Sequence, residues 1–190
     1  MSAVVNPFRR HAVKAQEYLR MGEAGVFAPE ARLGLIEGEI VETAPFGRRQ
    51  AGVLNALNRL LSRVVLDRAL VSVQNPVVLG DRSVPQPELA LLEPRSDNYS
   101  SAHPRAADVL LVVELADTTL AFDTGTKLPL YARGGVREAW VVDLRERAVH
   151  VYRDPSQNGE RTHVAAGMGE SLGMLALPGA RIAADALFAQ

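Results

Sequence analysis

Two glutamates, an aspartate and a lysine carry the chemistry that can be read from this chain. Glu88 opens an apolar run directly after Pro87, and Glu114 lies near the end of another, LLVVELA. Lys127 comes from the segment that follows, with Asp123 four residues before it. Among 21 basic side chains the only lysines are Lys14 and Lys127. Lysine supplies a compact, tunable ammonium where arginine supplies a planar fork that never loses its charge. The bland alternative for Lys127 is a solvated helix residue paired with Asp123 at i,i+4.

A carboxylate embedded in an apolar strand costs several kcal/mol to desolvate unless it is paired or coordinates a cation. Hard divalent ions such as magnesium take one or two carboxylates and fill their remaining positions with water and substrate phosphate. Glu88 and Glu114 suit that demand. A nearby ammonium could then orient a water or offset developing negative charge, and Asp123 would hold it in place. The competing reading puts both glutamates at strand ends in solvent, paired with arginines.

Other chemistries find less support. The absence of cysteine excludes disulfides, thiolate zinc sites and cysteine nucleophiles. His11, His103, His150 and His163 are scattered without ligand-like spacing, and His150 reads as a surface position on a strand. No serine sits in a G-x-S-x-G context, and the glycine groups match neither a P-loop nor a dinucleotide fingerprint. Arg48 and Arg49, at the start of a long helix, read either as a phosphate-contacting pair or as a solvated charge pair. A formal net charge of −1 gives no global attraction to a polyanion, so binding one would need a local arginine patch or a metal.

The elements that must position these residues follow from apolar periodicity. Residues 11–27 predict an amphipathic helix, and 32–45 a β-hairpin turning at Glu37-Gly38. Residues 50–66 give the clearest helix, with Val53, Leu54, Leu57, Leu60, Leu61, Val64 and Val65 on one face. Short extended segments are expected at 70–74 and 76–80, and buried strands at 88–94, 108–116 and 138–144. The polar stretch 95–107 reads as a surface loop and a candidate lid. Asp117, Thr118 and Thr119 offer an N-cap for a helix running to Gly134-Gly135, with a kink or break near Pro129. A hairpin through Arg145-Glu146, a strand at THVAAG and a closing tail complete an α/β (α+β) mixed sheet flanked by helices.

At 190 residues the chain suits one domain. It has no run of about 18 apolar residues for a membrane span, and its start lacks the pattern of a signal peptide. A cytoplasmic protein is expected.

The segments RLGLIEGEIVETAPFG (32–47), NPVVLGDRSVPQPELALLEPR (75–95), VLLVVELADTTLAFDTGTKLPLYARGGVREAWVVDL (109–144) and VHVYRDP (149–155) resemble the Uma-two family of restriction endonucleases, within the PD-(D/E)XK nuclease superfamily. The resemblance covers about residues 12–190. It implies a restriction-endonuclease-like fold over a single domain, 1–190, and magnesium-dependent hydrolysis of DNA, with manganese able to substitute. By analogy it also implies a homodimer whose two sites face two strands.

Residue by residue, the resemblance makes Glu88 and Glu114 the metal ligands. Glu88 stands where the family has the aspartate of its Pro-Asp pair, and Glu114 at the acidic position of the E-x-K element. Ala116 occupies the place of the superfamily lysine, which the family supplies from the next helix, here Lys127. Glu39 matches a family acidic position in the first hairpin. The chain departs from the pattern at Gly34, where a glutamate is common, at Gln50, where a histidine is, and at Glu88, one methylene longer than aspartate. Those departures leave room for a second expectation, a nuclease-fold protein with weak or no catalysis that binds DNA or a protein partner. A third is a structural dimer with no nucleic-acid role.

Overall fold

The computed structural model describes residues 10–43, 45, 47–155 and 162–189. Residues 1–9, the start that carries no signal-peptide pattern, lie outside the described residues, as do 44, 46, 156–161 and 190. Six strands form the central sheet: β3 (Leu70–Val73), β4 (Leu89–Leu92), β5 (Val109–Ala116), β6 (Glu138–Asp143), β7 (Ala148–Arg153) and β8 (Thr162–Ala166). They lie side by side in chain order, and only β5 and β6 run parallel. The α+β class with a mixed sheet, expected from the apolar runs, is what the chain adopts.

Strands β4, β5 and β6 are buried on both faces, which is why they read as continuous apolar runs. Successive side chains leave a strand on opposite faces. Leu111, Val113 and Leu115 therefore meet α2 (Arg48–Val65) through its Leu57 and Leu61 stripe, together with the tail residues Leu172 and Leu187. Val112 on the other face meets Leu128 and Tyr131 of α4 (Leu128–Gly134). Glu114 belongs to that second set, so the alternation aims a carboxylate into the α4 side of the sheet.

The crossover from β5 to β6 is a composite. A short turn, α3 (Leu120–Phe122), leads into a π-helical turn at Asp123–Lys127 and then α4. Pro129 falls in the first turn of α4, directly after the π turn, so the predicted break is a change from π to α geometry within a continuous helical run. Gly135 ends α4 with φ 94°, a conformation that favours glycine. Thr119 precedes α3 without capping it; its hydroxyl is used elsewhere.

A separate hairpin, β1 (Leu33–Ile36) and β2 (Glu39–Glu42), turns at Glu37 and Gly38, both with positive φ, as the Glu-Gly pair predicts. A Cβ on Gly38 would come within 2.8 Å of Ala12, so glycine is required for packing as well as for the turn. Leu35 and Val84 exchange backbone hydrogen bonds of 3.0 and 2.8 Å, which fix the hairpin beside the segment leading to Glu88. Helix α1 (Ala15–Glu23) packs Tyr18 near Leu35 and Val84. The tail forms a small hairpin, β9 (Ser171–Gly173) and β10 (Arg181–Ala183), and a last turn, α5 (Asp185–Phe188).

Three expectations change. The first helix is shorter than 11–27, and Val26, inside the expected span, is 60% exposed beyond its end. The extended segment 76–80 makes single bridges only, Val78 with Arg105 and Gly80 with Ser83, and does not lengthen into a strand. Loop 95–107 is not placed to be a lid. It joins the end of β4 to the start of β5, whereas Glu88 and Glu114 lie at the opposite ends of those strands. It is also tied down, with Arg95 and Ser101 both bonded to Asp97 and Tyr99 Oη donating to the Glu93 carbonyl. Among the described residues no helix is long and apolar enough to cross a membrane.

Candidate active site

The register of β4 and β5 brings the two glutamates together. Leu89 pairs with Val113 in this antiparallel ladder, so Glu88, one residue earlier, stands opposite Glu114. Neither reaches solvent freely: Glu88 is 6% exposed and Glu114 2%.

Lys127 fills the space between them. Its Nζ donates to Glu114 Oε2 at 2.9 Å and lies 3.6 Å from Asp123 Oδ1 and 4.0 Å from Glu88 Oε2. Ala116 sits two residues beyond Glu114, on the same face of β5, and is buried. The ammonium that could have come from that strand position arrives instead from the crossover. Asp123 is held in turn by Thr119, whose hydroxyl donates to Oδ2 at 2.6 Å.

Two further residues complete the cluster, and sequence reasoning missed both. Tyr131, fully buried, donates its hydroxyl to Glu114 Oε1 at 2.5 Å. Arg32, just before β1, donates to Glu88 Oε1 at 3.2 Å. A signal for Tyr131 was present: Thr119, Asp123, Lys127 and Tyr131 are spaced by four. On a regular α-helix four residues overshoot a full turn by about 40°, so three such steps would carry Tyr131 well off the face of Thr119. The wider π turn at Asp123–Lys127 takes up that drift, and such turns gather at functional sites. Arg32 left no signal, since it reaches Glu88 from 56 residues away through the hairpin.

Glu39 does not join the cluster. It opens the exposed strand β2, and its carboxylate lies 3.9 Å from Arg10. Gly34 lines a small cavity of about 20 Å³ with Ile36, Val41, Phe122 and Lys127, room for about one water molecule.

The charges in the cluster do not balance. Glu88, Glu114 and Asp123 supply three carboxylates against the two cations Lys127 and Arg32. Burial, and then the neighbouring Glu88, pushes the Glu114 carboxyl well above the usual range. Burial, and then Glu114, raises Asp123 to about 6. Burial alone would lower Lys127, but Glu114, Glu88 and Asp123 outweigh it, so the ammonium is held charged and is no base at neutral pH. Burial followed by Glu114 likewise keeps the Tyr131 phenol protonated as a donor.

This donor set fits a hard divalent cation. Two facing buried carboxyls, in a cluster with surplus negative charge, are groups that a cation would hold ionised. Among the described residues no three acidic or histidine side chains are grouped to hold a metal. The fit is therefore to an ion that keeps water and substrate oxygens in its shell.

No curated protein sequence matches the chain. Among solved structures, a "putative nuclease belonging to DUF820" from Anabaena variabilis ATCC 29413 shares the fold, with a TM-score of 0.69 over 93% of this chain and 98% of that one, at 17% identity. The model of the Uma2 family, described as "Putative restriction endonuclease", matches residues 15–185, and the chain belongs to that family.

Proposed function

We propose that this protein is a divalent-metal-dependent nuclease that hydrolyses phosphodiester bonds of DNA. The observation that carries the reading is the facing pair Glu88 and Glu114, buried around a charged Lys127 and short of positive charge. Glu88 and Glu114 would hold magnesium or manganese, which when bound makes water more acidic and polarises a phosphoryl oxygen. Lys127 offsets the negative charge that develops on the phosphoryl group and orients the attacking water. Asp123, fixed by Thr119, restrains Lys127, and Tyr131 and Arg32 fix the two glutamates in rotamers that face each other. Two copies are proposed to act as a dimer, one site per strand, in the cytoplasm.

The test is cleavage of plasmid DNA in magnesium by the full chain. Activity lost in Glu114→Ala and Lys127→Ala is expected; full activity in both variants refutes the site. A second reading, a nuclease fold that binds without cutting, is favoured by the near-complete burial of Glu88, Glu114, Asp123 and Lys127 and by the lack, among the described residues, of a group of three acidic or histidine ligands. Calorimetric titration separates the two, because a protein that only binds DNA shows no metal binding that depends on Glu88 and Glu114.

A further inference from the structure

We propose that Arg48, Arg49 and Arg147 form a subsite for a backbone phosphodiester of the nucleic acid, away from the bond that is cut. The proposal rests on the nuclease reading for its ligand but uses none of the residues of the Glu114 cluster. The three arginines line one pocket of about 340 Å³ with Val53 and Phe188, and no carboxylate lines it. None of the three has an acidic partner among the described residues, although Arg10, Arg32, Arg95, Arg133, Arg137, Arg145 and Arg153 all do. In a chain with 22 acidic and 21 basic side chains, three unopposed guanidinium groups in one place are a local departure from balance.

Two of the three are held in place by backbone. Arg49 donates to the Leu144 carbonyl. Arg147 donates to the Phe188 carbonyl at 2.8 Å and lies over the Phe188 ring. Each guanidinium has five N–H donors, so one anchoring bond leaves the others for a ligand. Such forks match phosphate oxygens, whereas cations would find no partner.

The location matches the ligand. Leu144 N donates to the carbonyl of Ala116 at 2.9 Å, two residues beyond Glu114. Arg49 therefore grips the same end of the sheet from which Glu114 projects. The arginines lie on the α2 face and the glutamates on the α4 face. A polynucleotide crossing that end of the sheet would present one phosphate to each, while a single small substrate would not span both.

The test uses the full chain in EDTA, with a labelled duplex oligonucleotide followed by fluorescence anisotropy over a salt series. Each phosphate contact contributes about 0.9 to the slope of log K against log salt. Replacing all three arginines (Arg48→Ala, Arg49→Ala, Arg147→Ala) should remove that one contact, lowering the slope by about 0.9 and weakening binding at least tenfold at low salt. Arg59→Ala with Arg63→Ala, exposed on the outer face of α2, should leave both unchanged. Circular dichroism checks that the triple variant is folded, and single Arg48→Ala, at an exposed position, should lower the slope by part of that amount if the triple is not.

An unchanged slope in the folded variants, or no duplex binding by the unaltered protein, overturns the subsite. So does saturable binding of inorganic phosphate that the triple variant abolishes without any change in the DNA slope, which would make this a free-phosphate site. Arginine-dependent binding without cleavage in magnesium or manganese would sink the nuclease reading and leave the subsite standing. Cleavage with an arginine-independent slope would do the reverse.

Discussion

Tyr131 and Glu114 are joined by the shortest side-chain hydrogen bond of the buried cluster, the phenol donating to Oε1 at 2.5 Å while Lys127 takes Oε2. Both oxygens of a fully desolvated carboxylate are thus satisfied, and its orientation toward Glu88 is fixed. Hydrogen bonds to charged groups contribute roughly 1.5 to 3 kcal/mol. Tyr131→Phe should lose stability of about that size in urea denaturation, and manganese should bind about tenfold more weakly, as for other groups that orient metal ligands. Unchanged stability and affinity would show that the bond is incidental.

Lys127 is the main cation among three carboxylates, and removing one partner of a buried ionic set leaves charge uncompensated. Lys127→Met should lower stability by about 3 to 5 kcal/mol in EDTA. Magnesium should recover part of that loss by binding the native state. Lys127→Arg should not behave as the original residue, because a planar fork cannot serve three carboxylates from one point. Denaturation curves with and without magnesium check this; equal curves for Lys127→Met and the unaltered chain contradict it.

Gly34 leaves the wall of the Lys127 cavity without a side chain. A Cβ there would meet the Val84 carbonyl oxygen at 3.6 Å and Gln86 N at 3.7 Å, ordinary contacts. Gly34→Ala should therefore fold normally, and Gly34→Glu should place an extra carboxylate beside the site and tighten manganese binding by about tenfold, since ligand charge sets such affinities. Calorimetry gives the answer, and affinity that stays the same or falls in Gly34→Glu opposes it.

His150 and His163 lie on neighbouring strands with Nδ1 and Nε2 3.1 Å apart, and His163 also stacks on Tyr152. Burial, and then His150, lowers the His163 pKa. An imidazole whose folded pKa lies below its unfolded value favours the native state above about pH 6.5, and that contribution is lost as pH falls through the folded value. The paired strands β7 and β8 should accordingly weaken on acidification below about pH 6.5. An NMR titration should find His163 below that value, and the pH dependence of thermal stability should flatten in His163→Gln. A His163 that titrates at or above the ordinary value contradicts the prediction.

What was legible in the sequence was what periodicity encodes. Continuous apolar runs gave β4, β5 and β6, the Leu57 and Leu61 stripe gave α2, and Glu37-Gly38 gave the hairpin turn. Glu88 and Glu114 were legible because a carboxylate in an apolar run demands an explanation. Their being opposite each other depended on the β4 to β5 register across a 16-residue connection, which no local pattern states. Thr119 was expected to cap a helix, but its hydroxyl is more useful to the buried Asp123. Glu39 was matched to a family position and still lies in the open, because it opens β2 beside the exposed hairpin turn. Arg32 depended on tertiary packing alone.

The central claim, that Glu88 and Glu114 hold a divalent ion beside Lys127, is tested most directly by the anomalous density of crystals soaked in manganese. A peak bridging the two carboxylates within reach of Lys127, absent in Glu114→Gln, is the predicted result. No peak there at millimolar manganese, or a peak that survives in Glu114→Gln, would contradict it.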